Sequence, residues 1–265
     1  MLIVVKIVIS ISVVLILAEI AKRVNPALSG IVSGLPLGTG LSVYFIALQE
    51  GIPFMTGGIP WGVAGLASSV SFCLTYFIIG KLTAGKGKFY CIVSASAFSV
   101  AVFAFTGYCI QLYTFTLMTS IIFFALVFFI NLYIVYRIRI IPEKVSVKKG
   151  GPFRDLIRGI IVALIILIIT GLPGILGGRW AGILSSFPST LFPLILILHY
   201  EYDDSLYPSV IKGFSLGITT LAVFYSGCFY ILPLFGLNTG MVIVYLISII
   251  YLSTLNIIKD RIEKV

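Results

Sequence analysis

Long apolar runs separated by short polar turns dominate the chain. Reading the breaks at Gly, Pro and charged positions predicts nine helical spans, at about 2–21, 28–49, 58–80, 89–107, 113–136, 156–175, 179–199, 207–233 and 238–258. Each approaches or exceeds the ~20 residues that carry an α-helix across a ~30 Å hydrocarbon core. Polar residues collect between them, as in the turn Gln49-Glu50-Gly51-Ile52-Pro53 and the acidic turn at 201–204. The eighth span carries Gly213, Gly217, Gly227 and Pro233, so it reads as one kinked helix or as two, the latter giving a ten-helix count. The expected fold class is all-α and polytopic.

Within this pattern one motif occurs twice. Gly30-Ile31-Val32-Ser33-Gly34-Leu35-Pro36 returns 152 positions later as Gly182-Ile183-Leu184-Ser185-Ser186-Phe187-Pro188. Each copy follows an apolar run, opens a second one, and places Pro among small and hydroxyl residues where a hydrophobic helix would otherwise continue. Gly65 and Gly217 repeat the same offset. The span at 113–136 has no counterpart, which predicts a 4+1+4 arrangement: a four-helix repeat at 1–108, a linker helix and basic loop at 109–153, and a second repeat at 154–265. A lone helix between two four-helix units inverts the second relative to the first. Inverted repeats with a broken helix in each half are the pattern of many secondary transporters.

Charge placement fixes the expected orientation. Of the 18 Lys and Arg, sixteen share one side: Lys22/Arg23, Lys81/Lys86/Lys88, seven from Arg137 to Arg158, Lys212, and Lys259/Arg261/Lys264; Lys6 and Arg179 fall on the other. Short basic loops stay cytoplasmic, so the N-terminus is expected outside and the C-terminus inside a cell membrane. Composition agrees: 60% of residues are hydrophobic, 10% are charged and mean hydropathy is +1.17, which excludes a soluble globule. The net charge of +9 does not point to nucleic acid, because the basic residues do not interleave with aromatics on one soluble face. Residues 2–21 lack a convincing cleavage site and are retained as a span. Cys73, Cys91, Cys109 and Cys228 show no metal or redox spacing and read as small buried hydrophobes.

Candidate chemistry concentrates in the repeated motif. Pro removes a backbone donor and frees carbonyls that must find partners at membrane depth. Ser33, Pro36, Thr39, Ser185, Ser186, Pro188, Ser189 and Thr190 are therefore the substrate-binding candidates. Against this stands close helix packing through small residues, Gly30 to Gly34 and Gly182 to Ser186. Ionisable groups within spans are functional candidates because burying them is costly, and four stand out. Glu19 is either a terminal ion pair with Lys22/Arg23 or a gating carboxylate. Arg179, beside Trp180, is an interfacial anchor or an attractor of anions. His199 is expected to snorkel at a helix end, and Lys212 to snorkel to the cytoplasmic face. An intramembrane enzyme would need His199 with Glu201, Asp203 and Asp204 in catalytic roles, and no activated nucleophile supports one. No catalytic residue, metal site or cofactor is expected, and without a nucleotide-binding loop direct ATP drive would need another protein.

The motif with Tyr44 downstream, and above all Ala181-Gly182-Ile183-Leu184-Ser185-Ser186-Phe187-Pro188-Ser189-Thr190-Leu191-Phe192 with His199-Tyr200, resembles the GlpM family of small four-helix inner-membrane proteins. The first half is more divergent, with Leu35-Pro36 in place of Phe-Pro and no His at the equivalent end. The resemblance implies a fused duplication of the unit, similar in general plan to the drug/metabolite transporters, and carries no substrate. The expected function is a secondary carrier of a small polar or anionic solute or a lipid-linked precursor. The alternative is a non-transporting scaffold or accessory subunit of an envelope biosynthetic complex. Expected partners are membrane lipids and an unknown solute, with homo-oligomerisation left open.

Overall fold

The computed structural model describes residues 4, 6–9, 11–12, 35–137, 152–202 and 206–262. Ten α-helices follow in chain order: α1 (Leu37–Glu50), α2 (Ile52–Thr83), α3 (Lys88–Gln111), α4 (Leu117–Arg137), α5 (Pro152–Gly171), α6 (Pro173–Leu176), α7 (Gly178–Ser185), α8 (Leu191–Tyr202), α9 (Tyr207–Phe235) and α10 (Leu237–Ile262). Residues 4, 6–9, 11 and 12 are also helical. No strand occurs among the described residues. The architecture is an all-helical, multi-pass membrane one.

Among the described residues, six helices are long and apolar enough to cross a membrane: Ile52–Thr83, Lys88–Gln111, Leu117–Val135, Gly159–Leu176, Tyr207–Phe235 and Leu237–Ile257. They coincide with six of the nine expected spans. The stretch expected at 179–199 is instead two shorter helices, α7 and α8. Of 28–49, only the part from Leu35 lies within the described residues, as do only fragments of 2–21. Over 207–233 the glycines do not split the span, for α9 runs unbroken to Phe235 with Pro233 in its last turn. Residues 113–116 form the turn before α4 rather than its beginning, and Trp61 Nε1 donates to the Tyr113 carbonyl there at 3.1 Å.

Tight connections follow local chemistry. Gly51, at φ 94°, ends α1, and Pro53 opens α2; Gly236, at φ 74°, turns α9 into α10. A side chain at either φ would be strained. α2 is the central element: 72% of its most apolar window is buried, against 22–39% for the other five long helices. α3, α4, α7, α9 and α1 all pack on it. It continues through Pro60, whose missing N–H is tolerated where neighbouring helices enclose the backbone.

Two contacts set direction. Tyr76, near the end of α2, lies 5.6 Å ring to ring from Tyr207 at the start of α9, while Gly62 near the start of α2 meets the Tyr225 ring toward the end of α9. α2 and α9 are therefore antiparallel. α7 runs parallel to α2: Gly58 faces Gly178 and Gly182, and Gly65 faces Ser186. A β-carbon on Gly182 would overlap the Gly58 carbonyl and sit 2.6 Å from the Gly62 nitrogen. This is backbone-to-backbone packing of the small-residue kind.

Candidate functional site at the paired breaks

Both prolines of the repeated motif make the same turn. The residue before a proline is biased away from the α region, and neither Leu35-Pro36 nor Phe187-Pro188 is helical. Leu37 N–H instead donates to Leu35 C=O at 2.8 Å, and Ser189 N–H to Phe187 C=O at 2.7 Å. These are three-residue turns centred on the prolines, with Pro36 at φ −76°, ψ 50°, near the inverse γ-turn. A helix then starts each time, with Gly40 N–H on Pro36 C=O at 2.6 Å and Phe192 N–H on Pro188 C=O at 2.8 Å. Position for position, the second turn repeats the first 152 residues on.

The two breaks touch. A β-carbon at Gly38 would collide with the Ser189 hydroxyl and lie 3.1 Å from the Thr190 methyl. Around this junction the neighbours also correspond. Phe72 of α2 packs edge-on against Phe192 of α8 at 5.2 Å, and Phe224 of α9 lies 3.3 Å from where a Gly40 side chain of α1 would begin. Each of these four residues is the other pair's counterpart at the 152-residue offset. Tyr245 of α10 covers Gly40 and donates to the Pro36 carbonyl at 3.3 Å.

No family model, curated protein or solved structure matches the chain. The site therefore rests on its own geometry.

Among the candidate hydroxyls, Ser185 and Ser186 are buried and engaged. Ser185 donates to Gly182 C=O at 2.7 Å and pairs with the Tyr225 hydroxyl at 2.8 Å; Ser186 donates to Ile183 C=O at 2.7 Å. Ser69 of α2 donates to the Ser186 carbonyl at 2.5 Å, satisfying a group left over at the end of α7. Ser189 is 1% exposed, and its hydroxyl has no partner among the described residues. Ser68 and Thr220, fully buried and again 152 apart, are in the same condition. Thr39 is buried in the first turn of α1, and Thr190 is half-buried. Ser33 and Glu19 lie outside the described residues.

Of the charged candidates, Arg179 is exposed and anchored. Its guanidinium lies over the Trp61 ring at 4.9 Å and donates to the Gln111 carbonyl at 2.9 Å. Lys212 is half-buried in the second turn of α9. His199 departs from the expected snorkelling: it is 2% exposed. Its ring stacks on Tyr207 at 4.4 Å, Nδ1 is 3.1 Å from the Tyr76 hydroxyl, and Nε2 is 3.5 Å from Cys91 Sγ. An imidazole enclosed by two phenols and a thiol from three other helices has no route to the interface. Asp203 and Asp204 lie outside the described residues. No group of three His, Cys, Asp or Glu among the described residues is placed to hold a metal.

Several partners went unread in the sequence. Cys91 is buried, as the sequence suggested, and it also donates to Gly80 C=O at 3.2 Å. Lys6 counted only as an outside charge, but it is 3% exposed, and its ammonium donates to the Gln49 side chain and, at 2.6 Å, to Thr170. Tyr225 and Tyr245 carried no local signal. The spacing of Tyr76, Gly80 and Thr83 on one face of α2 was the available hint for the His199 pocket.

Proposed function

We propose that the chain is a secondary carrier of a small polar or anionic solute, working by alternating access between two inverted four-helix repeats, 1–108 and 154–265, joined through α4. The observation that supports this best is the pair of equivalent proline turns, which meet at Gly38 and Thr190 while α2 and its counterpart α9 run in opposite directions. Symmetric breaks at a repeat interface are where carriers build midplane sites. In this reading nine spans cross a cell membrane, with the N-terminus outside and the basic clusters inside. Such a duplication also accords with the likeness to the GlpM family.

Cysteine reporters test the arrangement without knowledge of the solute. Lys86→Cys, between α2 and α3, is expected to label from the cytoplasm, and Phe235→Cys, at the end of α9, from outside. Thr190→Cys at the junction is expected to label from both faces in turn. A Thr190→Cys thiol inert from both faces in folded protein would overturn the carrier reading.

Pro188→Ala supplies the missing N–H and frees φ, letting α7 propagate toward α8. The exchange of Thr190→Cys labelling between faces is then expected to slow about tenfold or more, with the protein still folded. Unchanged exchange would remove the break from the mechanism. The scaffold reading is favoured by one observation, the close packing of Gly58 on Gly182, and it predicts labelling of Thr190→Cys from neither side.

A further inference from the structure

The junction of the two breaks has an imbalance of hydrogen-bonding groups that indicates its ligand. Five of its carbonyls among the described residues already accept a hydrogen bond. Leu35 C=O accepts from Leu37, Pro36 C=O from Gly40 and Tyr245, Phe187 C=O from Ser189, Pro188 C=O from Phe192, and Ser186 C=O from the Ser69 hydroxyl. Its donors are less well matched. A helix leaves its first four N–H groups without intrahelical partners. In α1 and α8 the turns satisfy Leu37, Gly40, Ser189 and Phe192, while the N–H groups of Gly38, Thr39, Thr190 and Leu191 meet no backbone acceptor among the described residues. α1 has no side-chain cap.

Both half-helices begin at the junction, so both direct the positive ends of their dipoles into it. The second, independent observation is Ser189. Its hydroxyl is 1% exposed, has no partner among the described residues, and lies against Gly38 in the first turn of the opposite helix. A buried hydroxyl, and amides from two helices with no backbone acceptor among the described residues, are costly at membrane depth unless something accepts from them. The nearby carbonyls are weaker cation ligands for each bond they already accept, and a polyol would need acceptors as well as donors. An oxyanion needs donors alone.

We infer that the touching first turns of α1 and α8 form a receptor for a small oxyanion, a carboxylate or phosphate group, held by backbone N–H groups and the Ser189 hydroxyl. This deepens the carrier reading and rests on it for the solute's passage, though binding itself does not need transport. Gly38 lets the two turns approach. Tyr245 covers the Pro36 carbonyl, which would otherwise repel the anion. The recognition is by dipoles, as in helix-terminus anion sites generally.

The test uses the purified full-length chain in neutral detergent, with melting temperature as the readout. Sodium formate and sodium phosphate are titrated against sodium chloride at matched ionic strength, with phosphatidate mixed micelles as a separate arm. Saturable protection of roughly 5 °C near a hundredfold excess over Kd is expected from one or both sources. Protection by the free salts identifies a soluble anion, and protection by phosphatidate alone identifies a lipid phosphate. Ser189→Ala is expected to weaken the apparent Kd about tenfold through loss of a charge-assisted hydrogen bond. Ser189→Asp places a tethered carboxylate where the anion would sit, so it should melt no lower than the parent and gain nothing from added anion. If instead no anion protects saturably, if Ser189→Ala responds like the parent, or if Ser189→Asp collapses as a buried unpaired charge should, the receptor is overturned. Anion binding combined with a Thr190→Cys thiol inert from both faces would keep the receptor and remove the carrier; alternating access without anion binding would do the reverse.

Discussion

Gly182→Leu is expected to leave little folded protein in the membrane. A β-carbon there already overlaps the Gly58 carbonyl and crowds the Gly62 nitrogen, so a leucine has only backbone to push against. Overpacked cores usually lose 1–3 kcal/mol when side chains yield. Here α7 would have to leave α2, and the Ser69 bond to the Ser186 carbonyl would go with it, so a loss of about 3 kcal/mol or more is expected. The measurement is the yield and melting temperature of the detergent-purified variant beside a control, Gly57→Leu, whose β-carbon meets nothing within 4 Å. Equal stability of the two variants would show that α2 and α7 do not approach as described.

His199→Ala is expected to cost about 3 kcal/mol. Emptying a buried aromatic-sized site costs about 3–5 kcal/mol for Phe or Trp in well-packed cores, and histidine is smaller. Of the total, about 1 kcal/mol belongs to the Tyr76 hydrogen bond and a similar amount to stacking on Tyr207. His199→Phe separates the contributions, since it fills the space and keeps the stack but abandons Tyr76. Its melting temperature should fall between those of the parent and the alanine variant. A surface histidine would tolerate both changes alike, and that result would return His199 to the interface.

These two residues also mark what the sequence could convey. Gly182 was readable because its signal is local: small residues four apart beside a proline announce close packing and a break, and Pro36 and Pro188 stand at the two turns. The two turns were likewise readable as a pair, since a motif repeated at a fixed offset calls for a repeated conformation. The His199 pocket was not. Its walls come from α2, α3 and α9, more than a hundred residues away in Tyr76 and Cys91, and a histidine near a helix end looks the same whether a neighbour covers it or not. The same holds for Lys6, whose partners Gln49 and Thr170 are 43 and 164 residues away. Hydropathy does not rank burial. α4 has the more apolar window, at mean hydropathy 2.4, yet only 22% of it is buried, whereas α2 at 1.8 is 72% buried. Lipid demands apolar side chains on every face it touches, while a protein neighbour accepts Gly, Ser and Thr.

The length of α2 has a mechanical side. Thirty-two residues span about 48 Å of axis, well beyond a hydrocarbon core of about 30 Å, so the helix lies oblique or projects from the bilayer. It is clamped near one end, where Gly58, Gly62 and Gly65 meet α7, and it carries the Tyr76 and Gly80 wall of the histidine pocket toward the other. From Gly65 to Gly80 is a lever of about 22 Å. A swing of about ten degrees about the glycine clamp would carry that far wall about 4 Å, more than enough to part the Tyr76 hydroxyl from His199, while the fulcrum itself scarcely stirred.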